Sequence, residues 1–582
     1  MRKIVPAGFS PVWYWIGLFG VLLVYLLGAQ LDLMDIDAAQ YGLISRDMLA
    51  SGNWLFLYER GRDYLDKPPL LFWSSAVSFA VLGVNNFAYR VFPILSSLAG
   101  AYGVYRFGKT WYNARTGQLA AMMLLSCQAY FLINHDVRTD TMLANATLLA
   151  IWQLSEYVRE KKWKNLVLGF AFIGLAMLAK GPLGLMVPVL AFSTDFILKR
   201  QWGHFFRWQW LVGLGVTALV ILPYCIGLYQ QFDMHPEKVV NNRTGTSGLY
   251  FYLWNHSFGR ITGEDDFIKY VHNETQGSTD YFFFVHTFLW SFLPWPMFYF
   301  IGLFGDLRRL LRQRFRLTAD QEALTLGGFV LTVVAVSFSQ YKLPHHFYVA
   351  LPLATIPAGK ALADLISSEK NRGLYRFGVG FQAFASVLLW GLLAWLALVC
   401  FPLPGVWKLL VAGVALVAAG YLLFLGKNRF ERLAMPALLS VVGGNFLMNA
   451  HVYPALFEYQ AETVLARFAR YEAKIPPQRM FAYTVPGQGD VNGFSVDFYS
   501  ETFIGDGKPV ETRQRAREVV SAGPTWFVTN GAGLADLRAA GFTVNVLKTT
   551  PRFRISMLSG EFLNPETRPQ TLETAHLVAV RP

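Results

Sequence analysis

The sequence predicts a polytopic α-helical membrane protein followed by a small soluble α/β domain, and three observations carry that reading. Of 582 residues, 54% are hydrophobic and 16% aromatic, with a mean hydropathy of +0.33, too apolar for a soluble chain of this length. Apolar runs of the length needed to cross a bilayer recur as far as about residue 452. Beyond about 454 the composition changes to short strand-like runs with helix-like runs between them.

The first long apolar run covers 11–31 and is followed at once by acidic residues, Asp35 and Asp37. Met1-Arg2-Lys3 lies before it with no small-residue cleavage site after it, which reads as an uncleaved anchor with a cytoplasmic N-terminus. Between Asp37 and Asn53, Tyr41, Ile44, Met48 and Leu49 share one helical face and Gln40, Ser45, Arg46 and Asp47 the other, the pattern of a helix lying on a membrane surface. The run 69–83 is apolar but short and opens on Pro68-Pro69, so it reads as re-entrant or interfacial. Further spans are expected near 88–107, 114–133, 140–158, 164–180, 183–198, 208–229, 282–304, 324–340, 344–363, 377–400, 405–425 and 434–452, about thirteen transmembrane helices in all.

Charge fixes the orientation of this arrangement. The net charge of +13 could suggest nucleic acid, but the basic residues stand in short clusters between apolar runs, so no nucleic-acid partner is expected. The clusters are Lys109 and Arg115; Arg159 to Lys164; Lys199 to Arg207; Arg308 to Arg316; Lys370 to Arg376; and Lys427 to Arg432. With 69–83 left out of the count, all six fall on the cytoplasmic side, and counting it as a span would invert them all. The expected domains are therefore a membrane module, 1–453, with extracytoplasmic loops 32–87 and 230–281, and a periplasmic domain, 454–582. Within that domain the strand-like runs are 480–485, 525–529, 542–547, 552–558 and 577–580, with helices over 511–522 and 534–540. Any chemistry is expected on the extracytoplasmic face.

Several patterns carry little. Cys127, Cys225 and Cys400 lie far apart inside apolar runs and suggest neither disulfides nor a zinc site. Gly487-Gln-Gly489-Asp-Val-Asn-Gly493 lacks the glycine spacing of a dinucleotide loop and reads as a turn. His256, His272, His345 and His346 show no metal-ligand spacing, while Asp35-x-Asp37 keeps a divalent metal as an alternative; no cofactor is expected.

The residues with chemical reach gather on the extracytoplasmic face: Asp35 and Asp37 after the first span, Lys67 in Asp66-Lys67-Pro68-Pro69, and Asp140 after His135-Asp136-Val137-Arg138. A carboxylate beside lipid can have its pKa raised towards that of a general base, and a lysine at headgroup level suits a phosphate. The same residues could equally be interfacial anchors. Lys180-Gly181-Pro182 reads either as a helix end or as a phosphate contact.

Asp37-x-x-x-Tyr41, then Met48 to Trp54, then Tyr64-Leu65-Asp66-Lys67-Pro68-Pro69-Leu70, resembles the first periplasmic loop of the ArnT aminoarabinose transferases and of the related protein O-mannosyltransferases, membrane glycosyltransferases of the GT-C fold. Arg138-Thr139-Asp140, Ala179-Lys180-Gly181-Pro182, His256 to Arg260 and Lys342-Leu343-Pro344-His345 match later signatures in the same order, so the resemblance covers roughly the first 360 residues. It implies Asp37 as the catalytic carboxylate and Asp140 as a second acidic residue. It further implies Tyr41, Tyr64, Lys67, Lys180, Arg260 and His346 around the donor's phosphate, with Asp35, Asp66, Arg138, His256, Lys342 and Tyr348 as further site residues. The chain departs from the family pattern at Ala38, where Glu is common, at Gln40, where Arg is common, and at His346, which precedes Tyr348 where the family has Tyr. The implied activity is inverting transfer of a sugar from a polyprenyl-phosphate donor to lipid A, a protein Ser/Thr or a glycan, by a monomer in the bacterial inner membrane. The alternative from another class is a transporter or lipid flippase, which usually keeps its ionisable residues near the bilayer midplane.

Overall fold

The computed structural model describes residues 7–240, 244–259, 280–339, 342–369, 371–489, 491–502, 504–505 and 507–582, without side chains for 256–259. Ten helices in the first 230 residues frame the molecule: α1 (Pro11–Gly28), α2 (Asp37–Ser51), α3 (Leu70–Leu82), α4 (Asn86–Trp111), α5 (Ala114–Ser126), α6 (Gln128–His135), α7 (Thr139–Glu160), α8 (Trp163–Lys180), α9 (Leu183–Leu198) and α10 (Gln209–Leu228). Their ends follow from local chemistry. Asn85 and Asn113 cap α4 and α5 by accepting the N–H groups of Ala88 and Thr116, and α2 and α8 stop at Gly52 and Gly181, both with positive φ.

Among the described residues, six helices are long and apolar enough to cross a membrane: Pro11–Gly28, Trp163–Lys180, Gln209–Asp233, Pro344–Ser367, Arg372–Cys400 and Trp407–Leu425. The pair α5 and α6, bent by 52° at Cys127, is long and apolar enough only when its two helices are taken together. The polar groups freed at that bend are met by neighbours: Gln128 N–H donates to the Leu293 carbonyl at 3.1 Å and Trp295 Nε1 donates to Ser126 Oγ at 3.0 Å. Each remaining expected span also coincides with helical backbone, but in helices that are shorter, more polar or broken, such as Leu324–Ser337 and the pair Phe283–Ser291 and Pro296–Arg312.

The helices form a bundle with a buried centre and an apolar periphery. In α7, 18 of 22 residues are buried, among them Asn145, Thr147 and Gln153, so its polar groups are shielded from lipid. The outer helices Arg372–Trp395 and Trp407–Leu425 instead expose Val387, Leu388, Val417 and Phe424, as lipid-facing helices must. α3 is 13 residues, about 20 Å at 1.5 Å per residue, short of a bilayer core. It starts beside Lys67, and the chain after it returns to α1's exit, where the Asn86 amide donates to Asp32 at 3.1 Å, so both ends of α3 lie on one face.

The basic clusters meet at the opposite end. Arg159 donates to the Thr110 carbonyl, Lys199 sits over Trp111, Tyr112 donates to Glu322, and Lys360 approaches both Tyr112 and Asp306. Arg429 sits over Tyr375 and donates to the Leu365 carbonyl, and Gly8 N–H donates to Ile366. The start of the described chain and the basic loops therefore share one end of the bundle.

After the bundle, strands Met480–Tyr483, Thr525–Asn530, Thr543–Arg552 and Glu573–Arg581 make a four-stranded mixed sheet; the first two are parallel and the last strand pairs antiparallel with both the second and the third. The strand read over 552–558 is instead the end of Thr543–Arg552, whose ladder runs out at Arg552 opposite Glu573; Phe553 N–H then turns to the Tyr459 carbonyl. The two faces alternate. Phe527 and Val578 pack under Arg513–Ser521 and Gly531–Ala539, whereas Val528 and Leu577 join the core of the main bundle.

The surface-helix reading of α2 needs correction. Ser45 and Arg46, expected on its water face, are buried, because the helix Phe494–Tyr499 packs there and the Asp497 carbonyl accepts from Arg46 at 2.5 Å. Arg90 on α4, fully buried, ties the same region together by donating to the carbonyls of Ala29, Leu31, Asp32, Asn86 and His135. Arg90→Met would leave these buried carbonyls without their donor, and the expected cost is about 3 kcal/mol or more. Thermal unfolding in detergent should register it as a clear drop in midpoint, and an unchanged midpoint would show that the guanidinium is dispensable.

Candidate active site

Asp37 is the first residue of α2, where the unpaired N–H groups of a helix start favour a carboxylate. Its Oδ2 accepts from Arg138 Nη1 at 2.5 Å, and Arg138 Nε donates to Asp136 Oδ2 at 2.8 Å. Burial works against the Arg138 charge, but Asp136 and Asp37 more than offset it and hold its pKa above the ordinary value. Arg138 immediately precedes α7, whose first turn carries Asp140. Asp140 Oδ1 pairs with Lys180 Nζ at 2.7 Å, both side chains being buried. Lys180 is the last residue of α8, so it both ends a helix before Gly181 and carries a charge into the site.

Tyr41 lies one turn after Asp37 on the same face of α2. Burial, then the charges of Asp37 and Asp66, hold its phenol well above the usual pKa, with Arg138 and Asp140 also within electrostatic reach. Tyr64 is similar: burial, then Asp66, raise it, and its buried hydroxyl has no hydrogen-bond partner among the described residues. Both phenols remain protonated and can donate. The Phe72 ring stands edge-on to each, 5.8 Å from Tyr41 and 5.9 Å from Tyr64. Lys67 Nζ pairs with Asp66 Oδ2 at 2.6 Å.

The segment after Lys342 closes the cluster. His345 feels the charges of Arg138, His346, Lys180 and Lys67, and Tyr348 those of Asp140, Arg138 and Asp136. His346 packs against His345 with ring centres 4.9 Å apart, and its Nδ1 accepts from Leu343 N–H at 3.4 Å. Asp37, Tyr41, Tyr64, Asp66, Lys67, Arg138, Asp140, Lys180 and Tyr348 thus converge on the end of the bundle opposite the basic loops. His345 and Asp136 belong with them. Their signal in the sequence was adjacency: Asp136 stands two residues before Arg138, and His345 ends the Lys342-Leu343-Pro344-His345 run.

Four expected residues fall elsewhere or outside the description. Asp35 turns away from Asp37 and gives its carboxylate to Ser495. Arg260 and the His256 side chain lie outside the described residues. Lys342 is buried with its Nζ 5.3 Å from the Tyr281 ring centre. No group of three or more His, Cys, Asp or Glu among the described residues could hold a metal ion.

Known proteins resemble the chain over the region that carries these residues. The family model for dolichyl-phosphate-mannose-protein mannosyltransferases matches residues 66–226, a stretch that includes Asp66, Lys67, Arg138, Asp140 and Lys180. The undecaprenyl phosphate-alpha-4-amino-4-deoxy-L-arabinose arabinosyl transferase 1 of Pseudomonas fluorescens is 27% identical over 390 residues, covering 64% of this chain and 62% of that protein. The corresponding transferase 2 of Sodalis glossinidius is 29% identical over 391 residues, covering 65% and 66%. The match thus spans just under two thirds of these relatives. The crystal structure of ArnT from Cupriavidus metallidurans bound to undecaprenyl phosphate superposes over 98% of both chains with a TM-score of 0.73 at 18% identity, and its apo form with 0.68. The fold is therefore the GT-C fold of membrane glycosyltransferases. In sequence and in fold the chain resembles the ArnT transferases.

Two measurements probe the charges described here. Removing one partner of the buried Asp140–Lys180 pair leaves an uncompensated charge, so Asp140→Asn or Lys180→Met alone should each cost about 3–5 kcal/mol, and the double variant less than the sum. Additive losses in thermal unfolding would show that the two groups act independently. Burial, then the charge of Glu462, raise Asp35 to about 7, above the unfolded carboxylate's 3.8. The folded protein then holds that proton more tightly, so stability is fully present below about pH 4 and is lost as pH rises through about 7. Asp35→Asn escapes this loss, and its unfolding midpoint should gain on wild type between pH 5 and pH 8; a gap that stays constant would refute the shift.

Proposed function

We propose that this chain is an inverting glycosyltransferase that moves a sugar from an undecaprenyl-phosphate donor to an acceptor at the periplasmic face of the inner membrane. The observation that carries the reading is the meeting of one carboxylate at a helix start, Asp37, with the cations Lys67, Arg138 and Lys180 at the end of the bundle opposite the basic loops. The printed names of the relatives, and undecaprenyl phosphate bound to the similar ArnT structure, support the donor class.

In this mechanism Asp37 removes the proton from the acceptor hydroxyl. The acceptor oxygen then attacks the anomeric carbon from the face opposite the phosphate, the bond from that carbon to the phosphate oxygen breaks, and its electron pair leaves on undecaprenyl phosphate. A phosphate leaving group is a stable anion and asks for positive charge and hydrogen bonds, not for a strong acid. Lys67 and Lys180 supply charge, Tyr41 and Tyr64 supply O–H donors, and the family resemblance adds Arg260 and His346 around the phosphate, with His256 as a further site residue. Arg138 bonds one oxygen of Asp37, which leaves Oδ1 to face the acceptor. Asp140 holds Lys180, and Asp66 holds Lys67, until the donor phosphate competes for them.

The same reading takes the chain as a monomer with about thirteen crossings and its first residues in the cytoplasm. The module 454–582 stands in the periplasm, and lipid A, a protein Ser/Thr or a glycan serves as acceptor. The positive-inside rule supports this orientation, since the basic loops share an end with the start of the described chain.

Transfer in liposomes from a panel of undecaprenyl-phosphate sugars to lipid A, a Ser/Thr peptide and a glycan tests the proposal. At least one donor and acceptor pair should turn over, and Asp37→Asn should lower the rate by about 10²–10⁴. No turnover by folded protein across the panel, or full activity in Asp37→Asn, would overturn it.

A further inference from the structure

Shortly before Asp37, Leu33 and Asp35 are hydrogen-bonded by residues after 459. Leu33 N–H donates to the Tyr499 hydroxyl at 2.8 Å. The Leu33 carbonyl accepts from Gln460 Nε2 at 2.8 Å, and Asp35 N–H donates to Gln460 Oε1 at 2.9 Å, so one amide side chain grips this strand at two points. The Asp35 carboxylate accepts from Ser495 N–H at 3.2 Å and from Ser495 Oγ at 2.7 Å. Gly493 makes the approach possible: a Cβ there would stand 2.4 Å from Asp35 Oδ2.

The same short segment braces the rest of the site loop. Arg60, at the turn between the paired strands Tyr58–Glu59 and Arg62–Asp63, donates to Asp497 Oδ2 at 2.6 Å and to the carbonyls of Asn492 and Gly493 at 3.0 Å. On α2, the Phe498 ring packs against Gly42, one residue after Tyr41. From the first helices, Arg90 reaches Leu31 and Asp32 just before this segment, and Ala39 N–H donates to the Met34 carbonyl at 3.3 Å.

We infer that Asp35, Gln460 and Ser495 are positioning residues that fix where α2 begins, so that the region after 453 completes the active site. Asp35 acts through the hydrogen bonds it accepts and not as a second base or a metal ligand. The inference rests on the proposed reading that Asp37 performs the chemistry. A displacement of Asp37 by about 1 Å is enough to slow such a step by about 10²-fold while the phosphate-holding groups stay in place.

The experiment uses the full chain in nanodiscs, with kcat and KM for the donor, undecaprenyl phosphate binding, and hydrogen–deuterium exchange over 32–48. Gln460→Ala and Asp35→Ala should lower kcat by about 10–100-fold, leave KM and undecaprenyl phosphate binding within about threefold, and speed exchange over 32–48. Asp35→Asn should keep kcat within about threefold of wild type, because its amide oxygen still accepts from Ser495. The inference is overturned if Asp35→Asn is as inactive as Asp35→Ala with exchange unchanged, since the carboxylate would then be chemical. Gln460→Ala with wild-type kcat overturns it equally, whether or not exchange changes. If wild type itself transfers no sugar, the proposed function fails, while the exchange data still decide whether residues 460–499 hold the strand before Asp37.

Discussion

The two-handed grip of Arg138, with one nitrogen on Asp37 and another on Asp136, is the constraint from which the site follows. Asp37 belongs to the helix after the first span and Asp136 to the loop before α7, two segments a hundred residues apart. A guanidinium can serve both because its donors are fixed in a planar fork, a geometry that an ammonium does not offer. The Asp37 side chain stays 40% exposed and that of Asp136 22%, so the pairing orients these carboxylates more than it offsets their burial. Asp140 and Lys180 apply the same solution one helix further on, deeper in the protein.

Much of this was legible in the sequence because membranes impose simple rules. Each segment read as a span coincides with helical backbone, and 69–83, set apart from the spans by its length, is the 13-residue α3. The bend at Cys127 was not legible. Nothing in Ser126-Cys127-Gln128 breaks a helix by propensity; the break is maintained by Trp295 and Leu293, more than 160 residues away. The strand over 552–558 failed for the same reason, because a strand ends where its partner does, and its partner begins at Glu573.

For the site, type and position were readable and orientation was not. Asp35 and Asp37 look equivalent in the chain, two acidic residues of one turn. The fold sends the first to Ser495 and the second to Arg138. Likewise α2 has two distinguishable faces in the sequence, but which of them meets water depends on Phe494–Tyr499, a helix more than 440 residues later. Patterning reports that a surface must be covered or solvated; it does not report by what.

The hydrogen bond from Leu33 to Tyr499 closes a sequence separation of 466 residues, and that from Gln460 to Leu33 one of 427. Translation proceeds at about 5–20 residues per second, so roughly 20 to 90 seconds separate the emergence of the first partner from that of the second. During that interval the membrane helices can insert and pack, but the segment before Asp37 lacks the partners that Gln460, Ser495 and Tyr499 supply. Biogenesis therefore orders packing before bracing: the hydrogen bonds that hold Leu33 and Asp35 form only once residues 460–499 have been made and have folded back.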